Sequence, residues 1–333
     1  MLTALVSTNI INPMFSRLLR INFCLLALTA LLLSSQAEAA KYAGEPFQLG
    51  VGARPLGIGG AYVAHASDVT AGFWNPSGLA SLTTRQVTFM HSETFGSLLN
   101  HDYLAYAMPL RSDADSPVAG VSLTRLGGGG IKITEWDYNL NRPLVVKESG
   151  HADYQLLFSW ADKKSPRLSF GASAKLLYRD IADNSAFGIG ADVGAQYELR
   201  SDLRIGVMVR DFTTTLLSYD TGTKESIYPT VVPGLSFQRY FGEFSFLAAA
   251  DAEVKFENYR EAAQFWMGSF SVDSHFGAEI GYRDVVFGRA GSDMGNLALG
   301  AGVAVSSFFL DIAYMRNTDI DDSFRISILY DIE

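Results

Sequence analysis

Apolar and polar residues alternate along most of the chain after residue 85. In the clearest run, Phe187 to Leu199, every odd position is apolar and every even position is glycine or polar. A period of two places the odd set on one face of a β-strand and the even set on the other. The pattern resumes with the same parity at Leu203 to Arg210. This part of the chain is therefore predicted to be all-β.

The alternation predicts about fourteen strands, separated by links that are in turn short and long. We place them at 86–95, 101–110, 117–126, 150–160, 167–178, 186–199, 203–211, 230–240, 243–254, 274–283, 284–291, 296–305, 307–315 and 323–332. Most are close to the roughly 9 to 11 residues that a tilted membrane strand needs. Short periplasmic turns and longer outer loops are typical of outer-membrane barrels. We therefore predict a single transmembrane antiparallel β-barrel over 85–333, with both termini periplasmic.

A soluble β-sandwich would also alternate, and the N-terminus favours the membrane interpretation. Arg17 and Arg20 precede an apolar run at 23–33, and small residues follow as far as Ala39. This is the layout of a secretory signal peptide, which we assign to 1–39, with Met14 as an alternative start. A transmembrane anchor is the other interpretation, but the run is shorter than the ~20 residues of a spanning helix. The predicted location is the outer membrane of a Gram-negative bacterium.

The composition argues against several kinds of partner and of functional site. The formal net charge of -9 and the pI near 5.1 argue against a nucleic-acid partner. The single cysteine, Cys24, lies in the predicted signal peptide, which excludes disulfides and thiol chemistry from the mature chain. The five histidines have no metal-ligand spacing, although His91 and His101 could face each other across the first hairpin. We predict no cofactor, no metal and no catalytic residues, and hence a protein that is not an enzyme.

The segment before the barrel has a different character. Residues 44–82 are rich in glycine and alanine and do not alternate. Small residues allow close backbone packing, so we predict that 40–84 form a hatch, or plug, inside the lumen. Asp68 is expected to cap a turn, and the run from Asn75 to Gly78 is expected to form another.

This segment carries a motif, which comprises Arg54, Gly57, Gly59, Gly60, Asp68, Asn75, Pro76, Ser77 and Gly78. The motif resembles the N-terminal signature of the PorV/PorQ family, within the FadL-like (long-chain fatty-acid channel) group of barrels. The resemblance implies passage of hydrophobic small molecules across the outer membrane. Alternatively, it implies a non-enzymatic component of type IX protein secretion that binds secreted proteins. The expected partners are outer-membrane lipid, hydrophobic small molecules or secretion-system proteins.

Two further features have two interpretations each. The glycines Gly127, Gly128, Gly129 and Gly130 follow the third strand, where they could form a gate in the barrel wall or a flexible loop. Charged residues of both signs occupy lumen positions, where they could pair across strands or line a hydrophilic pore. They are Lys175, Arg179, Asp192, Arg204, Arg210, Asp251, Glu253, Glu279, Arg283, Asp311 and Arg325.

Overall fold

The strands after residue 85 form one closed antiparallel sheet. The structure, a computed structural model, describes residues 42–113, 115–257, 259–317 and 321–332. The predicted signal peptide lies outside these residues. The described strands are β1 (Arg85–Thr94), β2 (Leu99–Pro109), β3 (Val118–Asp137), β4 (Arg142–Ser165), β5 (Leu168–Ile181), β6 (Asn184–Arg200), β7 (Leu203–Arg210), β8 (Thr215–Tyr219), β9 (Lys224–Ile227), β10 (Thr230–Phe241), β11 (Phe244–Lys255), β12 (Phe265–Met267), β13 (Phe270–Tyr282), β14 (Val286–Asp293), β15 (Asn296–Val305), β16 (Phe308–Met315) and β17 (Ser323–Ile332).

Pairing of the first and last strands closes the barrel. Arg85 of β1 lies opposite Ile332 of β17, so the last strand ends where the first begins. Strand β7 pairs directly with β10, so the short strands β8 and β9 form an inserted hairpin, in which β8 continues the sheet by pairing with β6. Strand β12 is a three-residue addition to β13. The other fourteen described strands form the barrel, and the prediction of about fourteen is confirmed.

The two faces of the wall differ in the way that the alternation predicts. Ile189 points outward and is 60% exposed, whereas Asp192 points inward and is 2% exposed. Large apolar side chains cover the outer face of most strands, and the inward set is buried. The outer face is therefore suited to the hydrocarbon of a bilayer.

Strands β3 and β4 are longer than the sequence predicts. The link predicted over 127–149 is instead a continuation of both strands, which stay paired as far as Asp137 and Arg142. This hairpin continues past the ends of the neighbouring strands β2 and β5, and none of its residues from 129 to 150 is buried. Burial imposes no period-two pattern on such a ribbon, so hydrophobic alternation could not reveal it.

Residues 42–84 precede β1 and lie inside the barrel. They form three short helices, α1 (Glu45–Gln48), α2 (Ala53–Gly57) and α3 (Ala71–Trp74), followed by a 3₁₀-helix over Pro76–Ser81. Nearly all of their residues from 51 to 80 are buried, including the side chains of Tyr62 and Trp74. The predicted hatch inside the lumen is confirmed. In the described part of the chain, no helix is long and apolar enough to cross a membrane.

Two expectations about polar residues are wrong. His91 and His101 do not face each other, because His91 pairs with Asp102 on the outer face while His101 is buried on the inner face. Arg283 does not line the lumen. It lies in an exposed turn between β13 and β14, where its ion pair is with Glu243. Within the described residues, no group of acidic, histidine or cysteine side chains is arranged to hold a metal ion.

Candidate functional site

The candidate site is the surface between the hatch and the barrel wall. Several strands carry glycine where the hatch comes closest, and a side chain there would overlap hatch atoms. We call these inward-facing residues the glycine collar. They are Gly171, Gly194, Gly206, Gly277, Gly291 and Gly300. A Cβ atom at Gly206 would lie 2.7 Å from the carbonyl oxygen of Val63, and one at Gly300 would lie 2.9 Å from the Cα of Gly57. The collar therefore lets the hatch backbone pack directly against the wall.

The hatch glycines complete this close packing. Gly57 lies against Gly300, and Gly59 is so close to β14 that a Cβ atom would lie 2.6 Å from the backbone nitrogen of Ser292. Gly59 and Gly60 also have φ angles of 66° and 75°, in the region that glycine tolerates best. Glycine is thus required on both sides of the contact.

Asn75 ties the hatch to itself and to the wall. Its side chain is fully buried. The Nδ2 group donates to the carbonyl oxygens of Val63 at 2.9 Å and Ala195 of β6 at 3.3 Å. Its Oδ1 atom accepts from the backbone N–H of Ser77 at 3.2 Å and from the Ser77 hydroxyl at 2.7 Å. The Nδ2 group also lies 3.5 Å from the carbonyl oxygen of Val207 of β7, so one amide joins two turns of the hatch to two neighbouring strands.

The rest of the motif sets the shape of the hatch. Pro76 packs against Gly171 of the collar, and a side chain at Gly78 would collide with the carbonyl of Ala66. The carboxylate of Asp68 accepts from the Tyr62 hydroxyl at 2.6 Å and from the backbone N–H of Thr70 at 2.8 Å. The latter bond closes the turn that leads into α3, whose own N-cap residue, Thr70, makes no side-chain capping bond.

Arg54 joins a buried charge network on the wall. Its guanidinium makes two bonds to Glu279 of β13, at 2.9 and 3.1 Å. Glu279 also accepts from Arg289 at 2.5 Å, and Arg289 donates to Asp311 at 2.6 Å. The two arginines and two carboxylates balance in charge, as buried groups must. The hatch thus supplies one of the two cations that compensate a lumen carboxylate.

His65 lies on the hatch side of this network. Its Nε2 atom is 3.3 Å from an Nη atom of Arg54, and its side chain is buried. Burial, and secondarily the charge of Arg54, lower the pKa of His65 from 6.5 to about 3. The imidazole is therefore neutral while the hatch is docked.

Some wall residues that bind the hatch do not belong to any recognisable sequence motif. Ser327 of β17 accepts from the backbone N–H of Ala53 at 3.1 Å, and Asp251 of β11 accepts from that of Val63 at 2.8 Å. Gln196 of β6 donates to the carbonyl oxygens of Val63 and Ala66, both at 3.0 Å. Lumen parity identifies such residues as inward-facing, but it does not indicate that their partners are hatch backbone.

The lumen charges pair as the cross-strand interpretation predicts, with some longer connections. Lys175 lies 2.8 Å from both Asp192 and Asp211. Arg179 pairs with Asp153 at 2.6 Å. Arg325 instead donates to the carbonyl oxygen of Gly50 in the hatch. The wall charges therefore serve mainly to compensate one another and to hold the hatch.

A cavity of about 180 Å³ lies beside the hatch within the lumen. Its apolar lining includes Leu49, Leu56 and Trp74 of the hatch. Its charged lining includes Arg210, Glu253, Lys255, Asp293 and Arg325 of the wall. The cavity has room for a small molecule only, and the hatch forms part of its surface.

The glycines Gly127 to Gly130 lie within β3. Gly127 and Gly128 are paired with β4, and the two that follow form a bulge before pairing resumes at Ile131. Strand β3 therefore bends but continues through this segment. Pairing with β2 ends at Gly127, so the bulge lies at the rim of the barrel.

The fold is that of FadL-like hydrocarbon transporters. The toluene transporter TbuX of Ralstonia pickettii superposes with a TM-score of 0.57 at 14% identity, over 85% of this chain and 99% of that one. The monoaromatic hydrocarbon channel CymD superposes with a TM-score of 0.58 at 13% identity, over 86% and 98% of the two chains. A FadL homologue of Pseudomonas aeruginosa gives 0.53 at 12% identity, over 85% and 98%. No family model matches the sequence. No curated protein is detectably similar to it in sequence.

Proposed function

We propose that this protein is a channel for hydrophobic small molecules in the outer membrane of a Gram-negative bacterium, with both termini periplasmic. The observation that carries the proposal is a hatch that is packed inside a closed barrel and contacts strands around the wall. A molecule that crosses through the lumen must pass this hatch, so passage requires the hatch to move. Transporters and channels for monoaromatic hydrocarbons share the fold, which supports the same class of cargo here.

The contacts of the hatch are suited to reversible docking. The hatch is held by hydrogen bonds to its backbone, by van der Waals contact at the glycine collar and by the ion pair of Arg54 with Glu279. Each of these contacts is individually small compared with a covalent bond. The cavity beside Leu56 and Trp74 offers a hydrophobic molecule apolar contact with the hatch itself. Occupation of this cavity provides a way to weaken the docking.

A disulfide between hatch and wall tests the proposal. A Cβ atom at Gly72 of α3 would lie 3.7 Å from the Cβ of Ser159 of β4, close to the spacing in disulfides. We expect the double variant Gly72→Cys/Ser159→Cys to take up radiolabelled toluene at least tenfold more slowly when oxidised than when reduced. Uptake is measured in cells in which this protein is the outer-membrane channel for toluene.

The two single variants are the controls, and oxidation should leave their uptake unchanged. The predicted mature chain has no other cysteine, so the engineered pair reacts alone. A band shift on a non-reducing gel verifies that the bond has formed. Equal uptake in the oxidised and reduced double variant would overturn the proposed role of the hatch.

The alternative function, a type IX secretion component that binds secreted proteins, is supported by the PorV/PorQ resemblance of the hatch motif. It predicts that the same genome encodes type IX secretion proteins and cargo with the matching sorting domain. Deletion of the gene should then retain cargo in the periplasm, and normal cargo release would remove this alternative. The disulfide experiment is independent of this result.

A further inference from the structure

The lumen cavity beside the hatch is lined by a buried cation that has no counter-ion. Arg325 of β17 faces this cavity and is 6% exposed. Within the described residues, its guanidinium makes one hydrogen bond, to the carbonyl oxygen of Gly50 in the hatch, and its Nε atom has no partner. No carboxylate oxygen of the described residues lies within 4 Å of it. Because a buried charge normally has a partner of opposite charge, Arg325 is suited to bind an anion.

The other charges that face the cavity are already paired. Arg210 and Lys255 each lie 2.9 Å from a carboxylate oxygen of Glu253. The carboxylate of Asp293 lies 2.8 Å from the Nδ1 atom of His275. An anion that enters the cavity therefore meets one guanidinium whose charge is not yet compensated.

An apolar surface lies next to this guanidinium, and Gly50 joins the two. The carbonyl of Gly50 binds Arg325, while a Cβ atom at Gly50 would lie 2.7 Å from the ring of Trp74 and 2.9 Å from a methyl group of Leu56. The indole N–H of Trp74 donates to the carbonyl oxygen of Val51 at 2.9 Å, which fixes the ring. The cation and the apolar surface are thus separated by a single residue of hatch backbone.

The size of the cavity limits the ligand to one ring. Its volume is about 180 Å³, below the roughly 300 to 1,000 Å³ of sites for drug-sized ligands. A long acyl chain would not fit in this space. Aromatic rings pack favourably against the edge of an indole, and a carboxylate accepts two parallel hydrogen bonds from a guanidinium. Together these features favour an aromatic ring that carries a carboxylate.

We propose that the cavity binds an arenecarboxylate similar in size to benzoate, with its carboxylate on Arg325 and its ring against Trp74 and Leu56. This inference rests on the proposed channel function and names the cargo that the cavity selects, since a plain hydrocarbon would leave Arg325 without a counter-ion. The carboxylate also competes with the carbonyl of Gly50 for the guanidinium. Occupation of the cavity therefore weakens one contact between hatch and wall.

Isothermal titration calorimetry on the purified full chain in detergent tests the proposal at neutral pH, where benzoate is ionised. We expect benzoate to bind saturably, with one molecule per chain. Benzamide has the same ring and a similar shape but no charge, and it should bind at least tenfold more weakly. Dodecanoate carries a carboxylate on a chain too long for the cavity, and it should not compete with benzoate.

Two variants assign the binding to Arg325. Arg325→Met keeps an apolar stem and removes the charge, so benzoate should bind at least tenfold more weakly while the affinity for toluene stays within twofold. The toluene measurement verifies that the cavity persists in this variant. Arg125→Met removes an arginine of β3 whose side chain is 41% exposed, and it should leave both affinities within twofold. A heat-modifiable gel shift verifies that both variants keep the barrel.

Several results would overturn the inference. Equal affinities for benzoate and benzamide would exclude recognition of the charge, and this comparison uses the parent chain alone. An unchanged benzoate affinity in Arg325→Met would place the carboxylate elsewhere. Competition by dodecanoate would assign the cavity to long-chain acids. None of these binding results depends on passage through the barrel, so they fail or succeed separately from the toluene uptake that tests the proposed function.

Discussion

The wall at the glycine collar and the projecting hairpin are made from the same kind of strand, but their surroundings differ. At the collar, the inner face carries glycine because hatch backbone lies against it, as between Gly206 and Val63. In the hairpin, Gly129 and Gly130 face open space and the strand edge is unpaired. Glycine therefore serves close packing in the first region and an accessible backbone in the second. A glycine in a strand has a defined role only once its neighbours are known.

The largest expected effect comes from the charge network at the collar. Glu279→Gln removes the ion pair of Arg54, which joins the hatch to the wall, and leaves the buried Arg289 with a single carboxylate, Asp311. Removing one partner of a buried network costs about 3 to 5 kcal/mol, so we expect the hatch to undock much more often. The readout is maleimide labelling of a cysteine at buried Val63, which should accelerate at least about 100-fold.

Glu243→Gln is the matched control for the charge change. Glu243 pairs with Arg283 in an exposed turn, where solvent screens the interaction. We expect no measurable change in the labelling rate at residue 63. Equal acceleration by both substitutions would contradict the importance of the buried network.

The second effect compares a collar glycine with a hairpin glycine. Gly194→Ala places a methyl group where the side-chain amide of Asn75 lies. Overpacking of this kind costs about 1 to 3 kcal/mol, so labelling at residue 63 should accelerate roughly 5- to 150-fold. Gly129→Ala meets no atom and should leave the rate unchanged. If Gly129→Ala had the larger effect, the assignment of close packing to the collar would be wrong.

The sequence predicts the barrel better than the site. The bounds of β15 and β17 agree with the predicted 296–305 and 323–332, because alternation between lipid and lumen is a local signal. The alternation does not predict the extension of β3 to Asp137. Its residues are not buried on either face, so they need not alternate between apolar and polar.

The same limit applies to the hatch contacts. The Asn75 to Gly78 turn is readable from its residue types. Its contacts with Ala195 and Gly171 join positions about a hundred residues apart, and no local pattern encodes them. The recurrence of glycine at inward positions was the available signal. Inward-facing glycines predict that another part of the chain packs closely against the wall, but they do not identify which residues these are.

The smallest expected effect is a pH dependence that acts through His65. The docked imidazole has a pKa of about 3, whereas an undocked one in water has a pKa near 6.5. The undocked hatch therefore takes up a proton as the pH falls below 6.5, and the docked hatch does not. Stabilisation of the docked state is complete above pH 6.5 and is lost progressively towards pH 3. At pH 5 the loss is about 2 kcal/mol, or roughly 30-fold in undocking.

His65→Gln isolates this contribution, because a glutamine keeps a hydrogen-bond acceptor near Arg54 but does not titrate. Labelling at residue 63, corrected for the rate of a model thiol at each pH, should accelerate between pH 7 and pH 5 in the parent chain. The acceleration in His65→Gln should be smaller by roughly 25-fold, and any acceleration that remains reports the other titrating groups. An identical pH profile for the two proteins would mean that His65 stays buried when the collar contacts open. The moving part of the hatch would then exclude His65 and the Arg54 contact beside it.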